Sequence, residues 1–179
     1  MPPPFIVELV PHDPRWASDA ASEVERLARA LGAVLVAAHH VGSTAVPGIV
    51  AKPILDLMPV VTDLTAFDER RRSVEALGYE CWGELGLRGR RYCTLDDTAT
   101  GRRLVQLHCY AVGSTEIERH LAFRDYLRHR PDIARAYERE KLRCRALHPK
   151  DSHAYADCKS PWIVETEAEA LLWRQSVGR

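Results

Sequence analysis

The sequence predicts an α+β protein with a strand-rich front half and a helical back half. Three observations carry this. Short apolar runs of strand type occupy about 33–41, 53–61 and 103–111. Glycine-containing connections separate them, notably Gly42 to Lys52 and Gly83 to Arg90. From Ser114 onward the pattern is helical to the end.

The elements follow in order. Phe5 to Val10 reads as a short strand or an extended arm, and Pro11-His12-Asp13-Pro14 as a turn. Asp13 is placed to cap the next helix, with Pro14 where a first helical residue tolerates lacking an N–H. Along that helix Ala20, Ala21, Val24, Leu27, Ala28 and Leu31 recur at helical spacing, and Glu23, Glu25, Arg26 and Arg29 lie mostly outside the stripe. Gly32 ends it. In the strand near 53–61, Pro59 points to an edge or a bulge. Asp63 caps a second helix that Gly78 stops. Tyr79 to Trp82 reads as a short strand. Arg91–Leu95 and Arg103–Ala111 read as an antiparallel pair joined by the turn residues Asp96 to Gly101. In the second of these, Leu104, Gln106, His108 and Tyr110 share a largely polar face, and Val105, Leu107, Cys109 and Ala111 share the core face. Thr115 to Glu118 has capping-box spacing for a helix to about Arg128. A helix follows Pro131 to about Leu147, and Ser160-Pro161 is read as the start of a last helix to about Ser176. The whole is read as one domain over 1–179, with the sheet within about 1–112 and the helical part at 113–179.

Charge narrows the function classes. The chain has 25 basic and 25 acidic residues, so the overall basic footprint of a nucleic-acid binder is absent. No apolar run approaches the ~18 residues of a membrane span. The start, Met1-Pro2-Pro3-Pro4-Phe5, lacks the basic and apolar regions of a secretory signal, which makes the cytoplasm the expected location. The five cysteines, at 81, 93, 109, 144 and 158, show no metal-ligand spacing and are expected to be reduced thiols. Trp82, Trp162 and Trp173 are expected to pack in or near the core. Only four basic residues are lysine (Lys52, Lys141, Lys150 and Lys159), so each stands out as a point charge.

The segment His39 to Leu57, HHVGSTAVPGIVAKPILDL, is the densest in chemistry. A strand runs into a Gly-Ser turn, and a second strand presents Asp56. Gly42 allows close backbone approach to a ligand. Ser43 and Thr44 add hydroxyls, and consecutive N–H groups there suit a phosphate. Lys52 can reach a phosphate as a point charge, and Asp56 suits a divalent cation. The same residues also fit a plain tight turn with one exposed carboxylate. Arg91 and Tyr92 are candidates to grip a phosphate and a base, and Arg119, Arg124, Lys141 and Lys159 to bind an anion. Lys159 is read as preceding a capped helix start.

Several stretches resemble the GrpB-type family, described as nucleotidyltransferase-like. They are His40 to Gly48 (HVGSTAVPG), Lys52 to Leu57 (KPILDL), Gly89 to Tyr92, Leu107-His108, and Arg119 to Arg128 (RHLAFRDYLR), with Tyr137, Lys141, Tyr155 and Lys159 in the tail. The resemblance implies a nucleotidyltransferase-type mixed sheet flanked by helices. It also implies Asp56 as the first carboxylate of a catalytic site, with His108 as its expected catalytic partner; the site either uses one cation on Asp56, or has His40 and His108 in place of carboxylates as ligands, or has lost catalysis. Magnesium or manganese suits carboxylates, and zinc suits histidines. The chain departs from the active pattern, because Met58 stands two positions after Asp56 where a second carboxylate belongs. The expected partner is a nucleotide or another phosphorylated small molecule, not nucleic acid or a membrane. The expected function is metal-dependent nucleotidyl transfer, or else an inactive binding or regulatory module near coenzyme A chemistry.

Overall fold

A computed structural model describes residues 1–177, so the last two positions of the expected domain lie outside the described residues. Five strands form one mixed sheet: β1 (Leu35–Val41), β2 (Leu55–Val61), β3 (Tyr79–Cys81), β4 (Arg90–Asp96) and β5 (Arg103–Ala111). Their spatial order is β1-β2-β5-β4-β3. β2 and β5 run parallel, and the other neighbours are antiparallel. Helices α1 (Arg15–Leu31) and α2 (Leu64–Glu75) precede the last three strands, and α3 (Thr115–His129), α4 (Pro131–Leu147) and α5 (Ser152–Val177) complete a helical back half.

Strand alternation sorts the sheet into two faces. Leu57, Val105, Leu107 and Cys109 pack with Leu27 and Leu31 of α1 and with Phe67 and Val74 of α2. On the other face Val41, Met58 and Tyr110 meet Ile117 and Leu121 of α3. Asp63 caps α2 by accepting from the Ala66 N–H at 2.8 Å. Asp97 closes the β4–β5 turn by accepting from the N–H groups of Ala99 and Thr100. The Phe5–Val10 segment is an arm laid along the body: Val10 bridges to Ala51, the Val7 N–H donates to the Pro149 carbonyl at 2.9 Å, and the Val7 side chain is buried against Cys144 and Tyr155.

Five expectations are corrected. Glu23 is buried, because its place between Ala20 and Leu27 puts it on the inner stripe, where the Tyr79 hydroxyl donates to it at 2.7 Å. β2 is an interior strand despite Pro59. The paired residues of the parallel β2–β5 ladder skip Met58 and Pro59 and resume at Val60, as the missing N–H requires. Ser114, not Thr115, is the N-cap of α3, accepting from the Glu116 N–H. Ser160-Pro161 does not start a helix. Asp151 caps α5 through His153 and Ala154, and the helix runs unbroken through Pro161, so Lys159 sits inside it.

The fifth correction concerns the cysteines. Cys81 is bonded to Cys93 and Cys144 to Cys158, leaving Cys109 as a buried free thiol. Cys81 and Cys93 stand opposite in the β3–β4 register, with Cα atoms 4.1 Å apart. Cys144 and Cys158 face each other across the α4–α5 hairpin, with Cα atoms 5.7 Å apart. Sequence spacing carries neither register nor helix rotation. Alkylation of the denatured protein is expected to add one label without reductant and five after reduction. Five labels without reductant would remove both bridges.

Candidate functional site

The turn after β1 begins at Gly42, whose φ of 69° lies in the left-handed region. Asp56 is the reason that glycine is needed. A Cβ at position 42 would lie 2.9 Å from the Asp56 Cβ and Cγ atoms, so any side chain there meets the carboxylate. Ser43 to Ala45 then form one 3₁₀ turn. The α3 arginines hold this turn by its backbone. Arg124 donates to the His40 carbonyl at 3.1 Å, and Arg128 to the Ala45 carbonyl at 2.7 Å. α4 holds its far end: Glu138 accepts from the Val50 N–H at 2.7 Å, and Lys141 donates to the Val50 carbonyl.

Register then assembles the polar face. Asp56 on β2 pairs with Gln106 on β5, and His108 lies two residues further along the same side. The His108 Nε2 approaches Asp56 Oδ1 at 3.4 Å. Burial pushes the Asp56 carboxyl up. The hydrogen bond and charge of His108 and the cations Lys52 and Lys159 outweigh it and leave the group below the usual carboxylate range. The ring of His108 stands edge-on to Tyr92, with centroids 5.3 Å apart, and 5.9 Å from His120. His120 Nδ1 lies 2.8 Å from the Glu116 carbonyl, which can only accept, so Nδ1 carries the proton and Nε2 is the free acceptor. Burial, with Arg119 and His108, drives His120 down to about 4.

Asp56, Gln106, His108 and His120 line a cavity of about 300 Å³ between the sheet and helices α3 to α5. Gly42, Ser43, Thr44, Lys52, Asp56, His108, Lys141 and Lys159 all reach it, as the sequence reading expected. Three of the chain's four lysines therefore converge on one space. Each rests on aromatic faces. Lys141 lies 4.8 Å from the Tyr137 ring centre, Lys159 5.1 Å from Tyr155, and Lys52 5.0 Å from Phe5 and 5.6 Å from Tyr155. Among the described residues none of the ion pairs involves a lysine. Burial, added to by Lys159, pushes Lys52 down to about 8 and Lys141 down to about 7.

Five expected site residues do not line this cavity. His40 pairs in register with Leu57, so alternation turns it from the Asp56 side, and its Nε2 is 2.8 Å from the Thr44 hydroxyl. Burial takes His40 down to about 4. Arg91 is held by Asp68 at 2.7 Å, on the α2 side of the sheet. Arg119 pairs with Glu116 and Glu167. Arg124 pairs with Asp125 at 2.7 Å. Tyr92 is buried behind His108. The sequence reading in turn missed His120, Phe123, Tyr137, Tyr155 and Glu167 as lining residues. A signal existed, since Tyr137-Lys141 and Tyr155-Lys159 repeat one aromatic–lysine spacing of four, which puts each pair on one helix face.

The donor set decides what metal fits. Met58 is fully buried against Val41 and Tyr110, so it supplies no second carboxylate ligand. Among the described residues the one trio of His, Cys, Asp or Glu with ligand atoms mutually within 4.8 Å is Glu140, Cys144 and Cys158, and its two cysteines are bonded to each other. One carboxylate and one imidazole, Asp56 and His108, suit a single cation that takes its remaining ligands from water or a phosphate. They do not suit a two-metal centre, which needs several oxygens.

A family model described as GrpB protein matches residues 6–169. The chain belongs to the GrpB protein family. A crystal structure of the conserved protein GrpB from Enterococcus faecalis superposes with a TM-score of 0.87 at 35% identity, covering 94% of this chain and 99% of that one. UPF0157 protein YqkA of Bacillus subtilis is 37% identical over 94% of this chain, which spans 48% of YqkA's length. A protein named dephospho-CoA kinase from Mycolicibacterium paratuberculosis is 29% identical over 96% of this chain and is matched over 48% of its own length. Among the described residues no helix of this GrpB chain is long and apolar enough to cross a membrane.

Proposed function

We propose that this GrpB chain binds a nucleotide or another phosphorylated small molecule in the cavity. One observation carries the reading: Lys52, Lys141 and Lys159 line one cavity, and none of them is in an ion pair with the carboxylates Asp56 and Glu167 that share it. Grouped cations taken out of water are unfavourable unless an anion joins them. The phosphate chain lies along the lysines, and Ser43 adds a hydroxyl at the turn. Asp56 and His108 lie at the other side, where a single divalent cation would sit between Asp56 and the phosphate. The reaction this arrangement suits is nucleotidyl transfer. The hydrogen bond and charge of His108 and the charges of Lys52 and Lys159 outweigh burial and keep Asp56 ionised at neutral pH, ready for a cation.

A second reading is favoured by Met58. With one carboxylate in place of the usual set, the chain serves as a binding or regulatory module that keeps the phosphate pocket without transfer. The relatives named dephospho-CoA kinase make coenzyme A precursors the first ligands to screen beside the nucleotides.

The test is titration of these ligands with and without magnesium, manganese or zinc. Asp56→Asn is expected to abolish the metal-dependent part of binding and to spare the metal-free part. Ser43→Ala is expected to weaken both, by about the 0.5–1.5 kcal/mol of one hydrogen bond. Release of pyrophosphate in the presence of metal separates transfer from binding alone. If no phosphorylated ligand binds under any condition, the anion reading is wrong.

A further inference from the structure

We propose that the Cys144–Cys158 bridge is a redox control on the cavity. Oxidised, it holds Lys141 and Lys159 together; reduced by a thiol, it releases them. The proposal rests on the reading above that the lysines receive an anion.

The placement is specific. Cys144 stands one helical turn after Lys141 on α4, and Cys158 directly precedes Lys159 on α5. Cys144 and Cys158 also pack with Tyr155, whose ring carries both Lys159 and Lys52. The bridge therefore adjoins Lys141 and Lys159 along their helices and reaches Lys52 through the Tyr155 ring. Lys159 acts unfavourably on both other lysines, so the cluster pushes itself apart. On α4 the acids are engaged elsewhere: Glu138 holds the Val50 N–H, and Glu140 pairs with Arg143 at 2.7 Å. The charge of Asp56 on the sheet favours Lys52, while Lys141 and Lys159 have no ion-pair partner among the described residues. A covalent tie between α4 and α5 offsets that repulsion where it arises.

The bridge is also built to open. Cys144 is fully buried and Cys158 is partly exposed, so an incoming thiol meets Cys158 first. The Arg143 guanidinium lies 3.5 Å from the Cys144 sulfur and 3.4 Å from the Cys158 sulfur. A cation there stabilises the thiolate that leaves. The thiolate of a small dithiol attacks the Cys158 sulfur, the Cys144–Cys158 bond breaks, and Cys144 departs as a thiolate that takes up a proton. The second thiol of the reagent resolves the mixed disulfide, so two electrons and two protons pass to the protein and the reagent leaves as its own disulfide. The helices then remain joined by the Tyr137–Trp162 stack, with ring centres 5.1 Å apart, so reduction frees the turn end of the hairpin without unfolding it.

The experiment titrates inorganic tripolyphosphate into oxidised and dithiol-reduced protein by calorimetry. The oxidised form is expected to bind roughly tenfold more tightly, because its cations are held in place beforehand. Cys81→Ser with Cys93→Ser removes the other bridge and should keep the full redox response. Cys144→Ser with Cys158→Ser should bind as reduced wild type does and ignore the reductant. Equal affinity of oxidised and reduced wild type, with binding intact in both, overturns the proposal and leaves the anion reading standing. Absence of binding in both forms overturns the two together. The wild-type comparison and the Cys81/Cys93 control decide the matter even if the Cys144/Cys158 variant fails to fold.

Discussion

Gly42→Val is expected to lose anion binding and to melt well below wild type. Two penalties combine at that position. The native φ of 69° is a conformation that a β-branched residue adopts only under strain. The new Cβ would also stand 2.9 Å from two carbon atoms of Asp56, so the carboxylate or the turn must move. Strain and overpacking together cost about 2–5 kcal/mol, which lowers the midpoint of a chain this size by roughly 5–15 °C. Gly48→Ala is the control. Its φ is 81°, but nothing lies within 4 Å of an added Cβ, so only the backbone strain remains. Calorimetry of both variants, followed by tripolyphosphate titration, separates the two penalties. A Gly42→Val protein that melts and binds like Gly48→Ala would mean that the carboxylate does not lean on the turn.

Raising the pH from 7 to 9 is expected to strengthen the fold while weakening anion binding. Burial and Lys159 set Lys141 near 7, and burial and Lys159 set Lys52 near 8, against about 10.4 for an unfolded lysine. Between those limits the unfolded chain keeps a proton that the native state has released, so stability rises with pH. Below pH 7 both states hold the proton, and the buried charge weakens the fold by its full amount. For Lys141 the gain from pH 7 to 9 is about 2 kcal/mol. The same proton loss removes a cation from the cavity, and affinity should fall at least about tenfold, as for one charge-assisted hydrogen bond. Urea unfolding gives the first slope. Titration with sulfate, whose charge is constant in this range, gives the second. Lys141→Gln should lose most of both slopes; if it keeps them, Lys141 is not the group responsible.

The legible part of the site lies on strands. Period-two alternation in β5 was enough to put Gln106 and His108 on the side of Asp56, because the core residues Val105, Leu107 and Cys109 leave no other choice. The rarity of lysine singled out the cationic residues, although nothing in one sequence says that residues 52, 141 and 159 meet. The arginines misled for a related reason. Arg91, Arg119 and Arg124 look like anion grips until their partners Asp68, Glu167 and Asp125 appear, and two of those lie far off in the chain. His40 and His39 differ by one residue, and the strand turned His40 away from Asp56. The helical lining was missed because Tyr137, Tyr155 and His120 read equally well as ordinary packing residues. The last helix hides its start at Asp151 behind a Ser-Pro pair that has capping form.

The parallel pairing of β2 with β5 sets the order in which such a site is born. β1 with β2, and β3 with β4 and β5, are near neighbours in the chain and close short loops. Asp56 and His108, 52 positions apart, meet only when these two units join edge to edge. That junction closes the longest loop in the sheet, and long-range pairings are the slow events of folding. Each unit holds its own antiparallel pairings, yet neither contains both Asp56 and His108. The pairing of Asp56 with His108 therefore belongs to the junction, and a chain that held its antiparallel pairings without the β2–β5 contact would be rich in strand yet lack the polar wall of the cavity.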